Sequence, residues 1–229
     1  IIKFPLKYDN SFEMFMLKDD TNIEKFENFR DLFGDAEYLS IGIEAPISDQ
    51  DLFSAKTIRI IHEISTMLED HVHVTKVSSL SKYQYTRHLN GSMITEDLFK
   101  DASALEDGSS DLLYARNLIR AEPLAINTII SQDLRHTRIL ARTEYVRNEN
   151  KHKIKISNDI YRFLNENNYL SQGYHIRLAG SAIIAERFDT LSKRDSAILN
   201  PSVAVIMCVI LWFVYSSISA CILPWFLIG

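Results

Sequence analysis

Residues 201–229 contain no Asp, Glu, Lys, Arg or His. Nothing in that run resists transfer into hydrocarbon. Residues 1–200 contain no cysteine, since Cys208 and Cys221 both lie in the apolar run. The charged part of the chain therefore has no disulfide framework and no cysteine nucleophile. Glycine is scarce, with seven in the chain and none in a GxGxxG or GxxxxGK arrangement, so no phosphate-cradling loop is present. No nucleophile-elbow pattern occurs either. The net charge is −5 and no long basic run appears, which argues against nucleic acid as a partner. No enzyme active site is readable, and the expectation is no catalytic residue, no cofactor site and no metal site.

The apolar run is the organising feature. A helix rises about 1.5 Å per residue, so about 20 apolar residues cross a hydrocarbon core about 30 Å thick. A buried core helix is shorter as a rule and keeps a polar edge at helical spacing. The run is therefore expected to cross a bilayer as a helix over residues 200–216, with residues 218–229 starting another. Proline is well tolerated in a first helical turn, so Pro201 is expected to begin the span. All 25 basic and 30 acidic side chains and all seven histidines precede it, in a stretch long enough for a real core. The chain starts with Ile1-Ile2 and stops inside apolar sequence at Gly229. It is expected to be a piece of a longer membrane protein.

The apolar Phe12–Leu17 reads as a short strand or an extended lead-in. Thr21 with Glu24 three residues on is a capping box. The helix it opens carries Ile23, Phe26, Phe29, Leu32 and Phe33 on one face and stops at Gly34. Leu39, Ile41 and Ile43 alternate with Ser40, Gly42 and Glu44, a strand period, which Pro46 ends. Ser48 and Asp49 are cap candidates for a long helix reaching Asp70, with a buried stripe at Leu52, Ile58, Ile61, Ile64 and Leu68. A strand follows over residues 72–80, with Val72 and Val74 on one face. The pair of strands would make a right-handed βαβ unit if they are parallel neighbours.

Residues 81–123 read as a helical insert. Asn90-Gly91 is a turn signal, and residues 95–104 and 109–121 are expected to be two short helices. A second β-rich unit follows, with residues 126–131 and 137–146 flanking a hairpin connection at residues 132–135. The next helix runs to about Asn168 with Ile156, Ile160, Phe163 and Leu164 at helical spacing. Tyr174, Ile176 and Leu178 then alternate with His175 and Arg177 in a strand stopping at Gly180. The order βαβ, insert, ββαβ points to an α+β, ferredoxin-like (split βαβ) layer with its helices on one face.

Smaller signals favour structural readings. His71 and His73 are two apart in the expected strand, a spacing that can hold zinc, but no third ligand is evident nearby. Asn90-Gly91-Ser92 matches the N-glycosylation pattern, yet Asn-Gly is also a turn. Asp189 and Asp195 sit near the span. Lys193 and Arg194 adjoin Asp195, which favours ion-paired helix residues over a proton carrier.

Several pieces resemble, in order, the first extracytoplasmic loop of resistance-nodulation-division (RND) superfamily exporters, closest to the MMPL and Patched-like branch. They are Asp9-Asn10-Ser11-Phe12-Glu13, Leu17-Lys18-Asp19-Asp20, Phe29 through Phe33-Gly34-Asp35-Ala36-Glu37, Asp51-Leu52-Phe53 at the opening of the long helix, and Val74-Thr75-Lys76-Val77-Ser78-Ser79-Leu80. Ile130-Ser131-Gln132-Asp133 resembles the family's hairpin, with Leu134 where the family usually has glycine. Leu178-Ala179-Gly180-Ser181 and Asp195 to Pro201 resemble the run into the second membrane helix, and Leu223-Pro224 the start of the third. The family's connection between those two helices often carries a basic residue, which Ser216-Ser217-Ile218-Ser219 lacks.

The resemblance implies an extracytoplasmic porter domain at residues 1–180 with its insert at about 81–123, a connecting helix at 181–199, and then the membrane segments. It implies proton-driven export of hydrophobic or lipid-like molecules, with coupling carboxylates outside this chain. Implied partners are the lipid bilayer, a lipid-like substrate, the rest of the transporter chain and a possible homo-oligomer. Lys193 and Arg194, read alone by the positive-inside rule, would place the domain in the cytoplasm, whereas the resemblance places it in the periplasm or outside. The alternative from another class is a membrane-tethered lipid or sterol receptor that pumps nothing.

Overall fold

The computed structural model describes residues 21–33, 37–89, 91–144 and 151–216. Its elements run α1 (Thr21–Phe33), β1 (Glu37–Glu44), α2 (Ala55–Glu69), β2 (Val74–Ser78), β3 (Gln84–Leu89), β4 (Ser92–Asp97), α3 (Ser110–Ala121), β5 (His136–Thr143), α4 (Lys151–Glu166), β6 (His175–Gly180) and α5 (Ser181–Tyr215). The Phe12–Leu17 lead-in, Gly34, the glycosylation candidate Asn90 and the second membrane segment at residues 218–229 lie outside the described residues.

The alternation read in β1 is real. Leu39, Ile41 and Ile43 are buried while Ser40, Gly42 and Glu44 lie half-open on the other face. The sheet order is β2-β5-β1-β6, every neighbouring pair antiparallel. Two βαβ units, β1-α2-β2 and β5-α4-β6, thus interleave their strands, and β5 separates β1 from β2. Residues from β1, β5, α2 and α4 meet in one apolar cluster, among them Leu39, Ile41, Ile139, Ile58, Ile61, Ile156 and Ile160. Both helices therefore cover the same sheet face, and the opposite face carries Arg138, Arg142, His175 and Arg177, all exposed.

Several sequence expectations need correction. The long helix opens at Ala55, not at Ser48 or Asp49. Ser54 is its cap, accepting from the Thr57 amide at 3.2 Å. Residues 46–53 instead form a turn fastened from outside by Arg135, which donates to the carbonyls of Ala45 (3.0 Å), Pro46 (3.1 Å) and Asp49 (2.5 Å). Asp51-Leu52-Phe53 lies in that turn, although Leu52 is fully buried as expected. The other end was read well, with Asp70 as the C-cap.

The strand expected from Val72 starts at Val74, and His71, Val72 and His73 form a turn in which Val72 is exposed. Residues 95–104 are not a helix, because Thr95–Asp97 belong to a hairpin that pairs Leu89 with Ser92 and Gln84 with Asp97. Its cross-strand Thr86–Thr95 and Arg87–Glu96 pairs are sheet contacts. The insert's second helix, capped by Ser109, is as expected.

Residues 126–131 form no strand, only isolated bridges at Ile126 and Ile130. Asn127 (φ +62°) and Leu134 (φ +59°) break the run. Leu134 occupies a backbone conformation that glycine adopts without cost, which gives its place in the family pattern a physical reason. The left-handed conformation costs about 1–2 kcal/mol, and full burial of a leucine returns about 2 kcal/mol. Leu134 is 1% exposed, so the substitution is tolerable.

Pro201 does not begin a helix. It lies inside α5, which continues unbroken from Ser181 to Tyr215. The ring forfeits one backbone bond, and the next residue, Ser202, donates its hydroxyl to the Ile198 carbonyl at 2.7 Å. The apolar part of α5 is long enough to cross a membrane and none of it is buried in the domain. On α1, Phe26, Phe29 and Leu32 are exposed.

The corner between β6 and α5 is tight. Gly180 has φ +125°, and a Cβ there would stand 2.3 Å from the Tyr38 carbonyl oxygen and 2.9 Å from the Leu39 Cα. Gly180→Ala is expected to cost more than about 3 kcal/mol, since backbone must move. Gly108, also at positive φ but in open space, is the control, and Gly108→Ala should cost only about 1 kcal/mol. Urea unfolding of both variants in detergent checks the difference, and equal losses would refute the close approach.

Candidate functional site

The corner fixes where α5 begins. Ser181 donates its hydroxyl to Glu37 Oε2 at 3.0 Å, and Lys153, in the first turn of α4, donates to Glu37 Oε1 at 2.6 Å. One carboxylate at the start of β1 thus holds the starts of two helices. Further along, Arg187 of α5 reaches the hydroxyl of Tyr161 of α4 at 3.2 Å and stacks over its ring at 5.2 Å. The two helices therefore run side by side in the same direction, and α5 leaves the domain at the end where α4 finishes. Ala182, Ile183 and Glu186 are its buried residues, all within its first two turns.

Those two turns wall a groove. It has a volume of about 360 Å³ and is lined by Leu164, Leu170, Ile176, Leu178 and Ile183, with Tyr161, Asn165, Tyr169 and Arg187 as its polar residues. Its floor is the outer edge of β6. Its far side is the short 3-10 turn Tyr169–Gln172, anchored where Tyr169 donates to Glu63 of α2 at 2.8 Å. Burial and the Glu63 carboxylate together push the Tyr169 phenol well above its usual range, so it stays a neutral donor. Shape and lining suit an elongated apolar molecule with a polar group.

A second, larger cleft of about 630 Å³ separates α2 and β2 from the insert. Lys76, Lys82, Lys100, Glu69, Asp97 and Asp101 line it, with Lys82 paired to Glu69. Charges of both signs at this density hold water, so the smaller apolar groove is the better site for a lipid-like molecule. The insert is firmly attached. Asp107 accepts from the Ala55 amide at 2.7 Å, Arg59 donates to the carbonyls of Ser103 and Leu105, and Arg116 pairs with Asp51 at 2.6 Å.

The residues weighed from the sequence fall as follows. Asp189 pairs with Lys193 one turn away at 2.6 Å, as an ion-paired surface residue does. Asp195 is exposed. His71 and His73 are brought close together, with ring centroids 5.7 Å apart. A third histidine joins them, His152 of α4, 5.6 Å from His73. Among the described residues no group of three or more His, Cys, Asp or Glu side chains is placed to hold a metal ion. Sequence reasoning missed the groove because its walls come from three separate stretches. No local signal marked it, since Arg187 stands between Glu186 and Asp189 like any charged residue of a surface helix.

The MMPL family model matches residues 17–229 of the chain. No curated protein matches it. Among the described residues α5 is the one helix long and apolar enough to span a membrane.

Glu37 is the testable centre of this geometry. Its side chain and that of Lys153 are 13% and 12% exposed, and removing one partner of so buried a pair costs about 3 kcal/mol. Glu37→Ala should lose that much in urea unfolding. Lys153→Met, which removes the charge but leaves Ser181 bonded, should lose less. The reverse order would show that Glu37 does not tie the two helices together.

Proposed function

We propose, from the premise that the chain belongs to the MMPL family and is part of an RND/MMPL-type membrane transporter, that it exports hydrophobic or lipid-like molecules through the groove at the foot of α5. The observation that carries this reading is the continuity of α5. Its first two turns wall the groove, and its charge-free residues 196–215 are about 30 Å long, the thickness of a hydrocarbon core. Any tilt or turn of the membrane segment therefore moves one wall of the groove.

The geometry also sets a height. From Arg187 to Ser196 the helix rises about 13 Å. The headgroup layer on one side of a bilayer is about 5–8 Å thick. The groove thus stands above the headgroups, and a lipid must be lifted out of its leaflet to enter it. Ile183, Leu178 and Leu164 would take the chains in place of lost hydrocarbon contact, at about 25 cal/mol per Å² of apolar surface covered. Arg187 and Tyr161 would meet the headgroup.

On this reading the domain lies on the extracytoplasmic face, the whole protein crosses the membrane several times, and export is proton-driven by residues outside this chain. The domain changes between an open and a closed groove as α5 moves, in an alternating-access cycle. Residues 1–180 are the porter domain, 181–199 the connecting helix, 200–216 a membrane span and 218–229 the start of a further one.

Two changes test the reading. Two or three glycines inserted beside Leu199 uncouple the segments, so export should cease while membrane insertion persists. Unchanged export would count against transmission through α5. Leu178→Trp fills the groove and should reduce labelling by a photoreactive lipid severalfold with the far-UV circular dichroism unaltered. Full labelling would move the lipid path elsewhere.

A further inference from the structure

At the start of α4, three histidines pack together. His71 and His73 come from the turn between α2 and β2. His152 is the second residue of α4 and is 5% exposed. The ring centroids stand 5.7 Å (His71–His73) and 5.6 Å (His73–His152) apart. His71 Nε2, His73 Nδ1 and both ring nitrogens of His152 are buried without a hydrogen bond. Four such nitrogens in one cluster are costly to hold unless the cluster works by changing its protonation.

The charged groups facing the cluster are unevenly placed. Asp159 of α4 lies 3.3 Å from His71 Nε2 and is also held by Arg162 at 2.7 Å. Glu144, just after β5, lies 3.6 Å from His73 Nδ1. Lys155 faces His71, and Lys153 and Glu37 face His152. His71 and His73 thus each have a carboxylate beside them. Among the described residues His152 has none within ion-pair distance, and it sits at a helix N-terminus, where a positive charge is disfavoured.

We propose that this histidine cluster forms an acid-released latch, which fastens the first turn of α4 to the turn between α2 and β2 while His71 and His152 are neutral and frees it when they are charged. The next residue, Lys153, carries the bond to Glu37, and Glu37 holds Ser181. Opening the latch therefore loosens the start of α5 as well. The latch is a property of the domain and stands whatever the transporter carries.

Burial lowers the pKa of both His71 and His152, outweighing the Asp159 carboxylate that raises it at His71 and the Glu37 carboxylate and Glu144 backbone that raise it at His152. A group whose folded pKa is depressed below its free value of about 6.5 keeps its full contribution above that value. The contribution is lost as pH falls from there toward the folded pKa, because the open form binds more protons. The latch is closed at pH 7.5 and weakens below about pH 6.5.

Hydrogen exchange of the full chain in detergent micelles, corrected for intrinsic exchange chemistry, reads the latch directly. Between pH 7.5 and 5.5 the amides of residues 151–157 should gain about tenfold or more in opening, since each extra proton bound by the open form contributes up to about tenfold per pH unit. Amides of β1 should not change. His152→Gln should remove most of that pH dependence. If that variant does not fold, Asp159→Asn decides. It removes the carboxylate that meets charged His71 and should enlarge the acid response. Unchanged protection of the natural chain at pH 5.5, a full response in His152→Gln, or an unaltered or smaller one in Asp159→Asn would each overturn the latch. So would a response abolished by a chelator, which would mean a bound metal instead.

Discussion

The carbonyl of Tyr38 occupies the place where a side chain on residue 180 would be. That backbone-on-backbone contact lets β6 end hard against β1 and lets α5 start at once, with no linker between them. Everything distinctive about the molecule follows from the missing linker. A loop of even a few residues would let α5 swing independently of the sheet. Here the helix is tied at its first residue through Ser181 to Glu37 and in its second turn through Arg187 to Tyr161. It then continues to Tyr215. The domain is mounted on the membrane helix as a handle on a rod.

The weak point of the rod is Pro201, where one backbone bond is missing. A proline in a helix interior costs about 3 kcal/mol in water. At this position it falls a few residues inside the charge-free stretch, where the hydroxyl of Ser202 caps a neighbouring carbonyl. The bend it allows is local and leaves the helix continuous. The latch sits at the start of α4 and the groove towards its end, and both lie beside the first two turns of α5. A change at either is felt through α4 and α5.

Much of the domain was legible in the sequence because period-two and helical patterns are local. The alternation of Leu39, Ile41 and Ile43, the stripe of α2 and the strand ending at Gly180 were all readable. What failed depended on distant partners. Ser48 and Asp49 looked like caps, but the guanidinium of Arg135 holds that turn in another shape. Thr95–Asp97 carries residues that suit a helix, yet they pair with Gln84–Thr86 across a two-residue turn. His71 and His73 were noticed as a pair, and their third member lies far along the chain on α4. The groove left no pattern, since its walls come from α4, β6 and α5. The apolar run was the clearest signal, and the structure leaves its part up to Tyr215 outside the domain core, as a membrane helix requires.

The central claim is that α5 is a single stiff helix from the domain into the bilayer. Spin labels at Leu191 and Phe213, both exposed, test it most directly, with Cys208 and Cys221 replaced by serine and the protein in lipid nanodiscs. An unbroken helix places the two backbones about 33 Å apart and should give one narrow distance distribution. A broad or two-peaked distribution would contradict it, because the membrane segment would then move without carrying the groove.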